Sequence, residues 1–384
     1  MLHGRRIVCL SSLPWQGRPT SRHHIAGQLA GWNDVLFVDP PANALRGGRP
    51  HRGRFAPGDD AVTRLEPPPH LPFGGDVRFR VSTPINQRRY AAAVERALVD
   101  LGWRDPILWY SCPVYSGARL PATVRRSAPG AVHVLHVTDA IWHQPQYRPA
   151  YDRFFAALVE AAALVVASTD AIAGGMRRYG ADPVHVLGHG VDTERFAPAL
   201  TRSAAPPTEL AAAPRPRIGF VGQLDHRLDV DTLTAVAATP GSVTLVGPSL
   251  LGAAAEQTLQ RAGCRLVGEV AYDDIPRWLA GFDVAVLPYR GDGLVQASRP
   301  LKLLEYLAAG LPVVSVDIPA ARELAPAVVT APPGVAFAEA VGRAWSDGHG
   351  GDAQARAGRA ELAATQSWAR RAEELSDLIE AAGG

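Results

Sequence analysis

The chain has 384 residues, 47% of them hydrophobic and 20% charged, with 39 Lys plus Arg against 37 Asp plus Glu. That length and balance support a packed, soluble protein of two ordinary domains. They argue against a membrane-spanning chain, since no apolar run approaches ~18 residues. The N-terminus lacks a secretory leader pattern, and Cys9, Cys112 and Cys264 stand alone without a CxxC pair. The expectation is a cytoplasmic, reduced protein with no Cys-ligated metal and no bound cofactor.

In chain order, Arg5–Leu10 and Val35–Asp39 read as strands with a helix over 21–31 between them. Residues 43–80, rich in Pro, Gly and Arg, read as an irregular surface excursion. A helix follows over 86–101, then strands at Ile107–Tyr110 and Val132–Val137, a helix over 150–163 and a strand at Leu164–Ala167. Residues 1–198 therefore form a first domain, 199–216 a Pro/Ala-rich linker and 217–365 a second domain of alternating strands and helices. An amphipathic helix fills 366–384. Cys9, inside Ile7-Val-Cys-Leu10, reads as core.

Charge is uneven. Residues 1–197 carry a net +7 and residues 198–384 a net −5. A basic first half suits an anionic acceptor, an acidic carrier or an anionic membrane surface. A solvated Arg-rich loop around Arg46, Arg49, Arg52 and Arg54 is the favoured source of that charge. Aromatic and basic residues do not interleave there, so no nucleic-acid partner is expected.

Within the second domain one residue stands apart: Lys302 is the single lysine of the chain. It lies in Ser298-Arg-Pro-Leu-Lys-Leu-Leu-Glu-Tyr-Leu-Ala-Ala-Gly-Leu-Pro-Val-Val-Ser315. Pro300 suits the first helical position, and Gly310 with Pro312 suits the end, so 300–309 reads as a short helix between buried strands at 283–289 and 313–317. A strand–loop–helix–strand unit of a parallel sheet binds ligands beyond the carboxyl ends of its strands. The free N–H groups in the first turn of this helix favour phosphate there. Lys302 adds a compact positive charge. Glu305 shares its helix face and can accept hydrogen bonds from ribose hydroxyls. Phosphate followed by ribose is a nucleotide.

Pro-x-Lys-x-x-Glu-Tyr-x-Ala-x-Gly-x-Pro-Val-Val resembles the donor segment of nucleotide-sugar glycosyltransferases with two facing Rossmann-like domains, the GT-B fold, and within it the retaining family-4 branch. Pro14-Trp15, Arg22-His23-His24 and Asp34–Pro41 resemble the opening of teichuronic-acid-type bacterial glycosyltransferases. Leu187–Phe196 and Ile218–Gln223 resemble the junction of the two domains. The resemblance implies an α/β GT-B fold whose last helix crosses back to the first domain. It implies metal-independent transfer of a sugar, with retention, from a nucleoside-diphosphate sugar to a small-molecule, carrier-linked or lipid-linked acceptor in cell-envelope glycan or secondary-metabolite synthesis. Peripheral contact with the inner membrane face goes with such acceptors.

The implied donor residues are Gly222, Gln223, Arg227, Val270, Ser298, Arg299, Pro300, Leu301, Lys302 and Glu305. Lys302 and Arg227 would stabilise the leaving diphosphate. His136, Asp139 or His24 would act on the acceptor proton, and Trp15, Arg22 and His23 would contact the acceptor. Asp229-Val-Asp231 imitates a metal motif but reads as a helix cap. The family's usual first glutamate falls at Ala297, which keeps a non-catalytic nucleotide-binding homologue open beside an epimerase or a phosphorylase.

Overall fold

The computed structural model describes residues 2–17, 19–42, 51–56, 61–71, 82–111, 117, 119–144, 147, 151–346 and 352–383. Two compact units form: Met1–Gly188 together with Trp368–Gly384, and His189–Ser367.

The first unit is built on a sheet of eight described strands: β1 Arg6–Leu10, β2 Asp34–Val38, β3 Arg54–Ala56, β4 Val62–Glu66, β5 Ile107–Tyr110, β6 Val132–Val137, β7 Leu164–Ala167 and β8 Val184–Val186. Their spatial order is β3-β4-β2-β1-β5-β6-β7-β8. All pairs are parallel except β3 with β4. Continuous apolar runs such as Ile7–Leu10 and Ile107–Tyr110 are buried throughout, as strands covered on both faces require. The order reverses around β1, so its connection to the Ser21–Ala30 helix lies at a switch point.

The expected irregular stretch 43–80 is corrected in part, because β3 and β4 lie within it. Val62 and Leu65 are buried beside β2. Arg64 enters the interior with Asp39 as its close partner, Nη2 to Oδ2 at 2.6 Å, and Glu66 Oε1 at 3.7 Å. Burial pushes the Cys9 thiol up to about 12, with a smaller opposing effect from Arg22, as befits a core cysteine. Cys112 lies outside the described residues. The final helix, Trp368–Gly383, belongs to the first unit and packs on the Ser21–Ala30 helix.

Among its described residues the second unit holds six parallel strands: β9 Arg217–Val221, β10 Ser242–Val246, β11 Arg265–Gly268, β12 Val284–Leu287, β13 Val313–Ser315 and β14 Val328–Thr330. Their order is β11-β10-β9-β12-β13-β14, so the reversal falls between β9 and β12. Residues 199–216 lie inside this unit. Leu210 is buried, and Arg356 Nη2 donates to the Ala199 carbonyl at 3.1 Å. Among the described residues no helix is long and apolar enough to cross a membrane.

Candidate functional site

The switch point of the second unit gathers most of the expected donor residues. The ladder between β9 and β12 is registered at Ile218–Val284 and Gly219–Ala285, before the end of β9. Beyond it the strands part. Gly222 follows β9 with φ +149°, and a Cβ there would collide with Lys302 Cε and stand 2.5 Å from Nζ. Only glycine leaves that slot. Lys302 fills it, with Nζ 5.3 Å from the centroid of the buried Phe220 ring and 5.7 Å from that of Tyr289. Cation–π attraction holds the ammonium, and among the described residues no carboxylate pairs with it.

The helix spans Leu301–Ala308. Pro300 is its N-cap with ψ 121°, one place earlier than the sequence suggests. The extended ψ sets the chain's entry, and a proline cap has no side chain to offer the first N–H groups. Leu301 and Lys302 thus present backbone donors at the positive end of the helix. Glu305 lies one turn on and is buried. Ser298 Oγ donates to the Val295 carbonyl at 2.8 Å. Arg299 is committed to Glu323 and to Gln366 Oε1, the latter at 3.1 Å, so it braces the loop.

On the β9 side, Asp225 organises the loop. It accepts from Arg227 Nη2 at 2.7 Å and from Gln223 Nε2 at 3.1 Å. Burial raises its carboxyl, but hydrogen bonds and charge from Arg227 outweigh that and leave it lowered. Arg227 Cζ stands 5.4 Å from the Tyr289 centroid, so Tyr289 has Arg227 and Lys302 as neighbours. Among the described residues its buried hydroxyl has no hydrogen-bond partner. Val270 packs at the edge of the core beyond Gly268, which ends β11. Asp229 caps the Val230–Ala237 helix, accepting from Asp231 N and Thr232 N. Among the described residues no three His, Cys, Asp or Glu side chains gather as a metal site requires.

The switch-point loop of the first unit gathers the expected acceptor residues. His23 has both ring nitrogens engaged, Nε2 to the Pro14 carbonyl at 2.8 Å and Nδ1 to Thr20 N at 3.1 Å. Burial lowers its basicity. It therefore builds the loop and caps the helix. Trp15 lies on His23 and Phe37, with its backbone N–H donated to Asp39 Oδ1 at 2.7 Å. Arg22 is buried and reaches Ser12 Oγ at 2.9 Å and Thr138 Oγ1 at 3.4 Å. Thr138 in turn donates to the exposed Asp139 Oδ2 at 3.1 Å. His136 is buried against Trp109, whereas His24 stacks on Trp368 with parallel rings 4.9 Å apart. Arg22, Thr138 and Asp139 thus form one chain, and His24 is turned toward the final helix.

Sequence reasoning missed Asp225, Phe220, Tyr289 and Tyr306 as parts of the site. For Tyr289 a signal existed: it follows Pro288 just past the carboxyl end of a buried strand.

Residues 215–347 match the family described as Glycosyl transferases group 1, so the second unit carries that domain. A protein named as a teichuronic acid biosynthesis glycosyltransferase of Bacillus subtilis (strain 168) is 27% identical over 149 residues, 38% of this chain and 37% of that one. A lipopolysaccharide core biosynthesis mannosyltransferase of Rhizobium meliloti (strain 1021) is 30% identical over 159 residues, 37% of this chain and 43% of that one. The matched regions span only about two fifths of these relatives' length. Among solved structures, sucrose-phosphate synthase from Thermosynechococcus elongatus superposes with a TM-score of 0.73 at 16% identity, covering 98% of this chain and 99% of that one. Anabaena HepE in complex with UDP and glucose gives 0.67 at 16% identity, with 98% and 99% covered. These likenesses establish the fold, two Rossmann-like domains of the GT-B class.

Proposed function

We propose that this chain is a glycosyltransferase that takes a sugar from a nucleoside-diphosphate sugar and passes it to an acceptor hydroxyl in glycan biosynthesis. The observation that carries the reading is the slot at Gly222 filled by Lys302, beside the first-turn donors of the Leu301–Ala308 helix. A diphosphate seated there meets backbone N–H groups and an ammonium held by two aromatic rings. Arg227, aimed by Asp225, supplies a second cation, and Glu305 serves the ribose. Stabilising the departing diphosphate is the main catalytic work, and no metal is needed for it. Retention and a cell-envelope acceptor rest on the family resemblance, a cytoplasmic location on the isolated cysteines, and contact with the inner membrane face on the basic first half. On the acceptor side, Asp139 is the exposed carboxylate that can take a hydroxyl proton, with Arg22 orienting it through Thr138; His136 and Trp15 flank that end of the sheet.

The lone lysine makes the test direct. An amine-selective acylating reagent can modify only the α-amine and Lys302. UDP and GDP, added in turn, should protect Lys302 and leave the α-amine reactive, as peptide mass mapping would show. Equal modification with and without either nucleotide would refute this placement.

A second reading has one observation in its favour. Ala297, buried where relatives of this type carry a glutamate, removes a carboxylate from the donor side. A nucleotide-binding partner without transferase activity would show Lys302 protection but no turnover with any nucleotide sugar.

A further inference from the structure

We infer that the Tyr306 hydroxyl is a positioning group for this site: it ties the end of β9 to the Leu301–Ala308 helix and so sets the spacing between Gly222 and Lys302. The inference rests on the donor reading above, but its structural half is independent of it.

In a strand, the N–H and C=O of one residue point to the same side, and successive residues alternate. Gly222 N–H points toward β10 and donates to the Val246 carbonyl at 2.8 Å. Val221 therefore turns its N–H and C=O toward β12. The ladder with β12 is registered only as far as Gly219–Ala285, so β12 does not receive them. Both groups go to one side-chain atom instead. Tyr306 Oη accepts from Val221 N at 2.8 Å and donates to Val221 O at 3.2 Å.

Tyr306 is fully buried and sits four residues after Lys302 and one after Glu305. A single hydroxyl thus does what the neighbouring strand does elsewhere in the sheet, while leaving the strands parted where a ligand would enter. Val221 is followed directly by Gly222, whose Cα forms the wall of the Lys302 slot. A shift of a few tenths of an ångström at Val221 is felt at Lys302 Nζ. A buried backbone pair left without partners has strong reason to move.

Two measurements test this. Hydrogen exchange of the unaltered protein needs no variant. The Val221 amide should exchange as slowly as the paired amides of β9, and exchange at the rate of an exposed loop would overturn the inference. Tyr306→Phe supplies the second. It should still melt cooperatively, bind UDP or GDP about tenfold more weakly by calorimetry, and lose protection of Lys302 in proportion. Thr232→Val is the control. It orphans the Gly334 N–H, bound at 2.8 Å elsewhere in the same unit, and should lower the melting temperature without changing nucleotide affinity. Unchanged affinity in Tyr306→Phe, or an equal loss in Thr232→Val, would reduce Tyr306 to a packing residue. Absence of nucleotide binding in the unaltered protein would instead refute the donor reading, and hydrogen exchange would still decide the Tyr306 contact.

Discussion

At the scale of single residues, Lys302 and Gly222 form one functional feature. Lys302→Ala should lower turnover about a hundred- to a thousandfold, since a preorganised charge is lost where charge develops. Gly222→Ala should mimic it, because the new Cβ must evict Lys302 Cε from its slot. The double variant should be no worse than either single one, as residues acting through one interaction are not additive. Additive losses in steady-state kinetics would separate the two. Glu305→Gln should weaken nucleotide binding about ten- to hundredfold if a charge-assisted bond to the ribose is lost; calorimetry reads it directly. His133 gives a pH prediction. Burial, and then the charge of Arg125, push its imidazole down from 6.5 to about 4. The hydroxyl of Tyr110, itself held protonated by burial, shares a 2.8 Å hydrogen bond with His133 Nδ1. Between about pH 6.5 and 4 the unfolded chain takes up a proton that the folded chain refuses. Stability should therefore fall as pH falls across that window, by up to about 1.4 kcal/mol per pH unit for this one group. Urea melts at pH 7, 5.5 and 4.5 should lose that slope in part in His133→Gln.

At the scale of elements, the loop after β1 depends on a pair that no local pattern reveals. Asp39 holds Trp15 N–H with one oxygen and the buried Arg64 with the other. Asp39→Ala should cost up to about 3–5 kcal/mol in chemical denaturation, because the buried guanidinium loses its close carboxylate and keeps the longer contact to Glu66 at 3.7 Å. A loss below ~1 kcal/mol would show that Glu66 or water compensates Arg64. The same pair explains why β4 was not legible in the sequence. Val62–Glu66 carries a central arginine between Pro- and Gly-rich flanks, and it is a buried strand only once Asp39, 25 residues away, is in place. Strands such as β1, β5 and β12 were legible because β-branched and apolar runs between breakers have few other ways to be buried. The donor helix was legible for a similar reason, through Pro300, Gly310 and the solitary Lys302. Its supports were not. Phe220, Tyr289 and Tyr306 acquire their roles only where β9, β12 and the helix meet, 17 to 86 residues apart in the chain.

At the scale of the whole molecule, the chain alternates between its units: it leaves the first at Gly188 and returns to it at Trp368. The alternation of strands and helices made two α/β units readable. The boundary was harder, because a Pro/Ala-rich stretch at 199–216 looks like a tether, yet Leu210 and the carbonyl of Ala199 are taken up by the second unit. The return segment has a thermodynamic consequence. Trp368, Ala372, Leu375 and Ile379 are buried, the Trp368 ring lies parallel to His24, and the helix packs on Ser21–Ala30 and β7. Removing it would bare the apolar face of the Ser21–Ala30 helix, which carries the switch-point loop with Arg22 and Trp15. Burying one large apolar side chain contributes about 1.5–3 kcal/mol, so several together approach the whole stability of a domain, about 5–15 kcal/mol. A chain ending at Ser367 should therefore unfold in two calorimetric steps. The first unit should melt well below its temperature in the full chain, while the second keeps Lys302 reactivity and nucleotide protection. Adding a peptide of residues 368–384 should restore part of the first transition. A truncated chain that melts like the full one, with Arg22-dependent activity intact, would mean that the returning helix is dispensable to the unit it rejoins.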